Sequence, residues 1–188
     1  MRSMWADFML DDPRMTNSTF VEGYSVDGSL HYPAYPNDAR LSHAHGWSSG
    51  PVFALTSLLA GVEVVSPERW VLRPRTGDLT TVEAGFEVAR GRYSFDFKSD
   101  GKRGKKYRFS TPEGTSGSLV LDLAGCDADV KVQPMGKGKG IKGFDGYRWN
   151  KGDHERSTVS RGGRSHEGSI VTLEGLRGGD YVVDMTCG

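Results

Sequence analysis

The stretch from Gly91 to Ser99 reads GRYSFDFKS, and its period decides the fold of most of the chain. Tyr93, Phe95 and Phe97 alternate with Ser94, Asp96 and Lys98, so one face is apolar and the other polar. That is the pattern of a strand with one buried side. The same period recurs downstream. Leu119, Leu121 and Leu123 alternate with Val120 and Asp122, Val130 and Val132 follow, and Ile170 to Leu173 and Tyr181 to Met185 complete the series. Gly and Pro punctuate these runs as turns require. Short strands without helical patterns between them predict antiparallel sheets, most simply a β-sandwich, over residues 63–188. Residues 136–165 carry little periodicity and are expected to form a long mobile loop.

Upstream of Val62 the period changes. Ser48 or Ser49 can cap a helix, Pro51 suits its first turn, and Phe53, Leu55, Leu58 and Leu59 follow as apolar positions. Gly61 suits the left-handed residue that ends it. Apolar on most of its circumference, this helix is expected to be buried. An earlier helix is expected to end near Met9 or Leu10, before Asp12-Pro13. The chain is therefore of mixed α and β class, with a helical segment over 1–62.

Composition narrows the function. The 188 residues carry 24 Lys+Arg against 24 Asp+Glu, a net charge of +0, which argues against a dedicated nucleic-acid binder. The basic cluster Lys102, Arg103, Lys105, Lys106 and Arg108 reads as a solvated loop, as does GKGKGIKG from Gly136. The latter lacks the Gly-Lys-Ser/Thr of a phosphate-binding loop. The apolar window Pro51–Val65, interrupted by Thr56, Ser57, Gly61 and Glu63, is too short to span a membrane. The first residues, MRSMWADFMLDDPR, hold no signal peptide, and localisation is not set by the sequence. Cys126 and Cys187 form neither a metal cage nor a disulfide framework. They can pair with each other or remain free thiols.

Candidate chemistry concentrates between Ser18 and Pro51, a long loop dense in Tyr, His and Trp. Glu22 reads either as a solvated loop acid or as a catalytic carboxylate beside a bound water. His43 and His45 form an H-x-H, but with His31 the only other His near, no metal site is expected. Each reads as a structural histidine or as a donor to a substrate hydroxyl. Trp47, Tyr32 and Tyr35 suit either core packing or a platform for the C–H face of a sugar. Asn17-Ser18-Thr19 is a glycosylation sequon expected to be unoccupied, because a glycan there would obstruct Glu22.

Three segments then resemble a known family: STFVEGY (Ser18–Tyr24), DGSLHYPAYPNDARLSHAHGWSSGP (Asp27–Pro51) and RPRTGDLTTVEAGFEVARGRYSFDF (Arg73–Phe97). In wording and order they are similar to the C-terminal end of α-L-rhamnosidase-type enzymes of glycoside hydrolase family 78. TPEGTSGSLVLDL (Thr111–Leu123) resembles a strand of that family's terminal β-domain, and beyond Leu123 the likeness fades. The resemblance implies terminal helices of an (α/α)6 toroid in residues 1–62, followed by the β-sandwich. It implies inverting hydrolysis of terminal α-L-rhamnosides by two carboxyl groups, without a cofactor. Glu22 is similar in position to the family's general base and His45 to a substrate-contacting histidine. Trp47 shapes the pocket beside it, and His43 is a weaker match.

The family's general acid and most of its toroid have no counterpart here. Twelve helices of about 11–12 residues with their connections need well over 200 residues. The chain therefore reads as a truncated product, inactive alone, whose exposed helix faces can drive self-association. The full-length enzyme suits an extracellular setting. The competing expectation is a non-catalytic carbohydrate-binding or interaction sandwich.

Overall fold

Tyr93, Phe95 and Phe97 all lie inward on one strand, each no more than 1% exposed, while Arg92 and Lys98 face solvent. The computed structural model describes residues 2–17, 19–31, 35, 41–101, 104–123, 128–135, 147–149, 164–167 and 170–188. Tyr32, Lys102, Arg103, Cys126, the GKGKGIKG run and most of the segment read as a loop over 136–165 lie outside them. The chain divides into two compact units, Met1–Ala54 and Leu55–Gly188.

Among the described residues, the second unit has eleven strands in two sheets. They are β1 (Val62–Ser66), β2 (Arg69–Leu72), β3 (Thr81–Val88), β4 (Gly91–Ser99), β5 (Gly104–Ser110), β6 (Ser116–Asp122), β7 (Ala128–Pro134), β8 (Tyr147–Trp149), β9 (Arg164–Glu167), β10 (Ile170–Arg177) and β11 (Asp180–Cys187). One sheet runs β1-β2-β6-β10-β9 and the other β3-β4-β5-β11-β7-β8. Their inner faces share one core. Trp70, Leu72, Leu119, Leu121, Val171 and Leu173 from the first sheet meet Phe95, Tyr107, Phe109, Val130, Tyr181 and Val183 from the second. Trp70 and Phe109 meet edge to face at 5.8 Å, and Phe109 stacks on Tyr181 at 4.9 Å. This is the two-sheet arrangement of a β-sandwich.

Two details depart from the expected pattern. β2 and β6 pair in parallel, Arg69 opposite Ser116 through Leu72 opposite Leu119, although every other pair is antiparallel. The chain leaves β2, builds β3 to β5 in the opposite sheet and returns to β6. A crossover of that length permits a parallel neighbour where a tight hairpin cannot. The segment read as a loop also contributes β8, paired to Val130–Val132, and the start of β9, paired to β10. Edge strands form by backbone bonding and need no long side-chain period to announce them. Cys187, at the end of β11, is disulfide-bonded, which removes the free-thiol alternative for it.

Trp70 explains one glycine. A Cβ on Gly117 would sit 2.1 Å from the indole and 2.3 Å from the Trp70 carbonyl oxygen. The indole N–H donates to Thr115 Oγ1 at 3.1 Å, and that hydroxyl donates to the Pro112 carbonyl at 2.6 Å. The largest buried side chain of the first sheet thereby keeps its polar atom satisfied.

The helical elements differ from expectation. Arg2–Asp11 is a π-helix that stops before Asp12-Pro13. There Asp12 accepts from the Arg14 backbone and guanidinium, which hold its carboxyl down at about 2. From Gly46 the chain runs through a 3-10 turn (Gly46–Ser49), an α-helical turn (Gly50–Phe53) and a π-helix (Ala54–Leu59). Neither His45 nor Ser49, at the N-cap positions, makes a side-chain cap bond, so the expected serine cap is absent. Nor is the run buried: Val52, Phe53 and Leu58 are 56%, 64% and 54% exposed. Its apolar circumference shows what the segment can bury, and these residues do not bury it. Gly61 does take the expected left-handed conformation, at φ 75°. No helix among the described residues is long and apolar enough to cross a membrane.

Candidate functional site

The first unit has its own small core, made of Met9, Met15, Val21 and Leu41 with Phe20, Leu30 and Tyr35 packed on it. Two pieces of the long loop are laced together beside it. The Glu22 N–H donates to the Ser42 carbonyl at 2.8 Å, and the His45 N–H donates to the Phe20 carbonyl at 2.9 Å. Thr19 Oγ1 adds a bond to the His43 carbonyl at 2.6 Å. Val21 and Leu41 are buried in that core, and Glu22 and Ser42 follow them directly in sequence. This local lattice places the carboxylate.

Both oxygens of Glu22 are engaged. Oε1 accepts from the Tyr35 hydroxyl, and Oε2 accepts from the Ser42 backbone N–H at 3.1 Å. Oε2 also lies 3.7 Å from Nδ1 of His45, and the two side chains are only 12% and 24% exposed. The Tyr35 hydroxyl and then the Ser42 amide draw the Glu22 carboxyl below its ordinary range; desolvation opposes them, and the nearby His45 ring adds the smallest downward effect. Glu22 is therefore an anion at neutral pH, held at both oxygens. Beyond it, the His45 ring packs on Trp47 with centroids 4.2 Å apart and planes tilted by 50°. Trp47 leaves 77% of its surface exposed.

Of the residues singled out from sequence, Glu22, His45 and Trp47 thus form one continuous row. His43 is not brought into that row: its carbonyl accepts from Thr19 Oγ1. Tyr35 turns out to be a hydrogen-bond partner of the carboxylate, a role that neither the core nor the platform reading gave it. Ser42 was missed altogether. Its contribution is a backbone N–H, which residue type does not reveal, and its hydroxyl bonds locally to the Ala44 carbonyl at 3.1 Å. Among the described residues no group of three or more His, Cys, Asp or Glu could hold a metal ion.

Sequence comparison finds no matching protein family and no matching curated protein. Solved structures do match. An α-L-rhamnosidase from Dictyoglumus thermophilum superposes with a TM-score of 0.62 over 89% of this chain and 16% of its own, at 17% identity. The fold is that of an α-L-rhamnosidase-like C-terminal region. A Streptomyces avermitilis α-L-rhamnosidase, solved with L-rhamnose, matches at a TM-score of 0.53 over 88% of this chain and 13% of its own, also at 17% identity. This chain thus spans about one-sixth or less of the structures it matches, and at this identity the likeness is one of fold.

Proposed function

We propose that this chain is the C-terminal portion of a glycoside hydrolase that cleaves terminal α-L-rhamnosides with inversion of configuration. Residues 1–62 supply the last helices of an (α/α)6 toroid, and residues 63–188 supply its β-sandwich. The observation that carries the reading is the row Glu22, His45, Trp47: an ionised, doubly held carboxylate facing an imidazole that rests on an exposed indole.

Each member has a task in that chemistry. Glu22 is the base: it takes a proton from water as the water oxygen bonds to the anomeric carbon. The glycosidic C–O bond breaks at the same time, and the leaving oxygen takes a proton from a carboxylic acid outside this chain. The 3.7 Å between Oε2 and Nδ1 is longer than a hydrogen bond, yet one oxygen beside the pair can bond to both. A sugar hydroxyl or the attacking water fits that role. Trp47 offers its open face to the pyranose C–H surface, and His43 borders the same segment.

Because one carboxylate cannot both activate water and protonate the leaving group in a single displacement, the 188 residues alone do not turn over a rhamnoside. The reading is tested by product stereochemistry. A longer enzyme carrying this chain releases β-L-rhamnose first from an aryl α-L-rhamnoside, as read by the anomeric proton signal. Initial release of the α anomer would show retention and remove the role assigned to Glu22.

A further inference from the structure

We propose that Tyr35 is a positioning residue for the base: by holding Oε1 of Glu22 it leaves Oε2, the oxygen beside the His45 ring, to accept the proton from water. The proposal rests on the reading of Glu22 as the general base.

The geometry is asymmetric. Among the described residues, Oε1 takes the Tyr35 hydroxyl, while Oε2 takes the Ser42 amide at 3.1 Å and looks toward Nδ1 of His45 at 3.7 Å. An ionised carboxylate has about four lone-pair sites, two on each oxygen. A phenol O–H is the more acidic donor, so the oxygen that bonds to it holds its remaining electron pairs more tightly. The oxygen bonded to the amide stays the more basic one, and it is the one on the side of His45 and Trp47. The tyrosine can act as a fixed support because its ring packs on the core of Met9, Met15, Val21 and Leu41. Backbone bonds Glu22 N–H to Ser42 O and His45 N–H to Phe20 O lock the other two sides of the triangle. Among the described residues, the groups that face the carboxylate are thus one phenol, one amide and one imidazole. The depressed Glu22 titration, with Tyr35 its largest cause, agrees with this arrangement.

The test uses the 188-residue chain and reads titration rather than turnover. With isotope-labelled Glu and Tyr, the Glu22 carboxyl signal is followed by NMR as pH falls, together with the ring carbon that bears the Tyr35 hydroxyl. In the unmodified chain the Tyr35 signal steps at the Glu22 midpoint. In Tyr35→Phe, which keeps the ring and removes the donor, the Glu22 midpoint moves up toward the ordinary glutamate range. In the longer enzyme the same variant lowers kcat about tenfold, leaves KM within about twofold, and moves the acid limb of kcat/KM upward. An unmoved Glu22 midpoint in a Tyr35→Phe chain with a native amide spectrum would overturn the proposal. So would a Tyr35 signal that ignores the Glu22 titration in the unmodified chain, a result that does not depend on the variant folding. If the midpoint moves but Glu22→Gln retains full turnover in the longer enzyme, the hydrogen bond stands, and the base reading and its catalytic use by Tyr35 both fall.

Discussion

Single side chains carry different fates according to what surrounds them. Tyr107 and Tyr181 lie in the sandwich core, and burial pushes both hydroxyls up to about 12, with the Asp122 charge adding to the effect on Tyr107. Their folded values exceed the ordinary 10, so between about pH 10 and 12 the unfolded chain releases protons that the folded chain retains. Stability from these groups is therefore complete below pH 10 and is lost as pH rises through 12. Thermal melts from pH 8 to 12 should show a falling Tm that is blunted in Tyr107→Phe. Glu22 behaves oppositely: its folded value is depressed, so its contribution is present at neutral pH and disappears on acidification. Glu22 was legible as a candidate because an acid in an aromatic-rich loop stands out, and the resemblance singled it out further. Tyr35 was singled out only for its ring, since thirteen residues and a folded loop separate its hydroxyl from the carboxylate it bonds to.

At the level of strands and helices, side-chain period proved a sound guide wherever one face is buried. β4, β6, β7, β10 and β11 all lie where alternation placed them. What alternation cannot encode is the neighbour: nothing in Arg69–Leu72 or Ser116–Asp122 signals that they pair in parallel, since that follows from the crossover between them. The contact between Trp70 and Gly117 was likewise invisible, because it joins two strands through the absence of a side chain. Gly117→Ala should destabilise the chain by about 1–3 kcal/mol, the range for overpacking a core, while Gly46→Ala, whose Cβ would meet nothing within 4 Å and whose φ is not positive, stays near zero. Chemical denaturation of both variants checks the difference. The helical run Gly46–Leu59 shows the limit of composition as a guide. Its apolar residues predicted burial, yet Phe53 and Leu58 stand open. Phe53→Ser with Leu58→Ser should reduce binding of an apolar-surface dye severalfold and shift Tm by no more than about 1 °C, because exposed side chains contribute little to folding.

Taken whole, the molecule joins a well-knit sandwich to a smaller unit that holds the candidate chemistry. The sandwich owns a core of aromatic and β-branched residues from both sheets, whereas among the described residues the core of the first unit has four buried members. Hydrogen exchange should therefore find β4, β5, β6 and β11 the slowest amides and the Thr19–His45 lacing among the faster ones. Uniform protection across both units would contradict that division. The same imbalance is what the proposed function expects, with the small unit as part of a larger enzyme. Under the proposed function, the row Glu22, His45, Trp47 would meet its substrate and an acid partner in that setting. The most direct measurement is steady-state kinetics of Glu22→Gln in a longer enzyme carrying this chain, with an aryl α-L-rhamnoside as substrate. The account predicts a fall in kcat of about a hundredfold or more with KM nearly unchanged. A variant that turns over like the parent, or that loses affinity and leaves kcat intact, would contradict it.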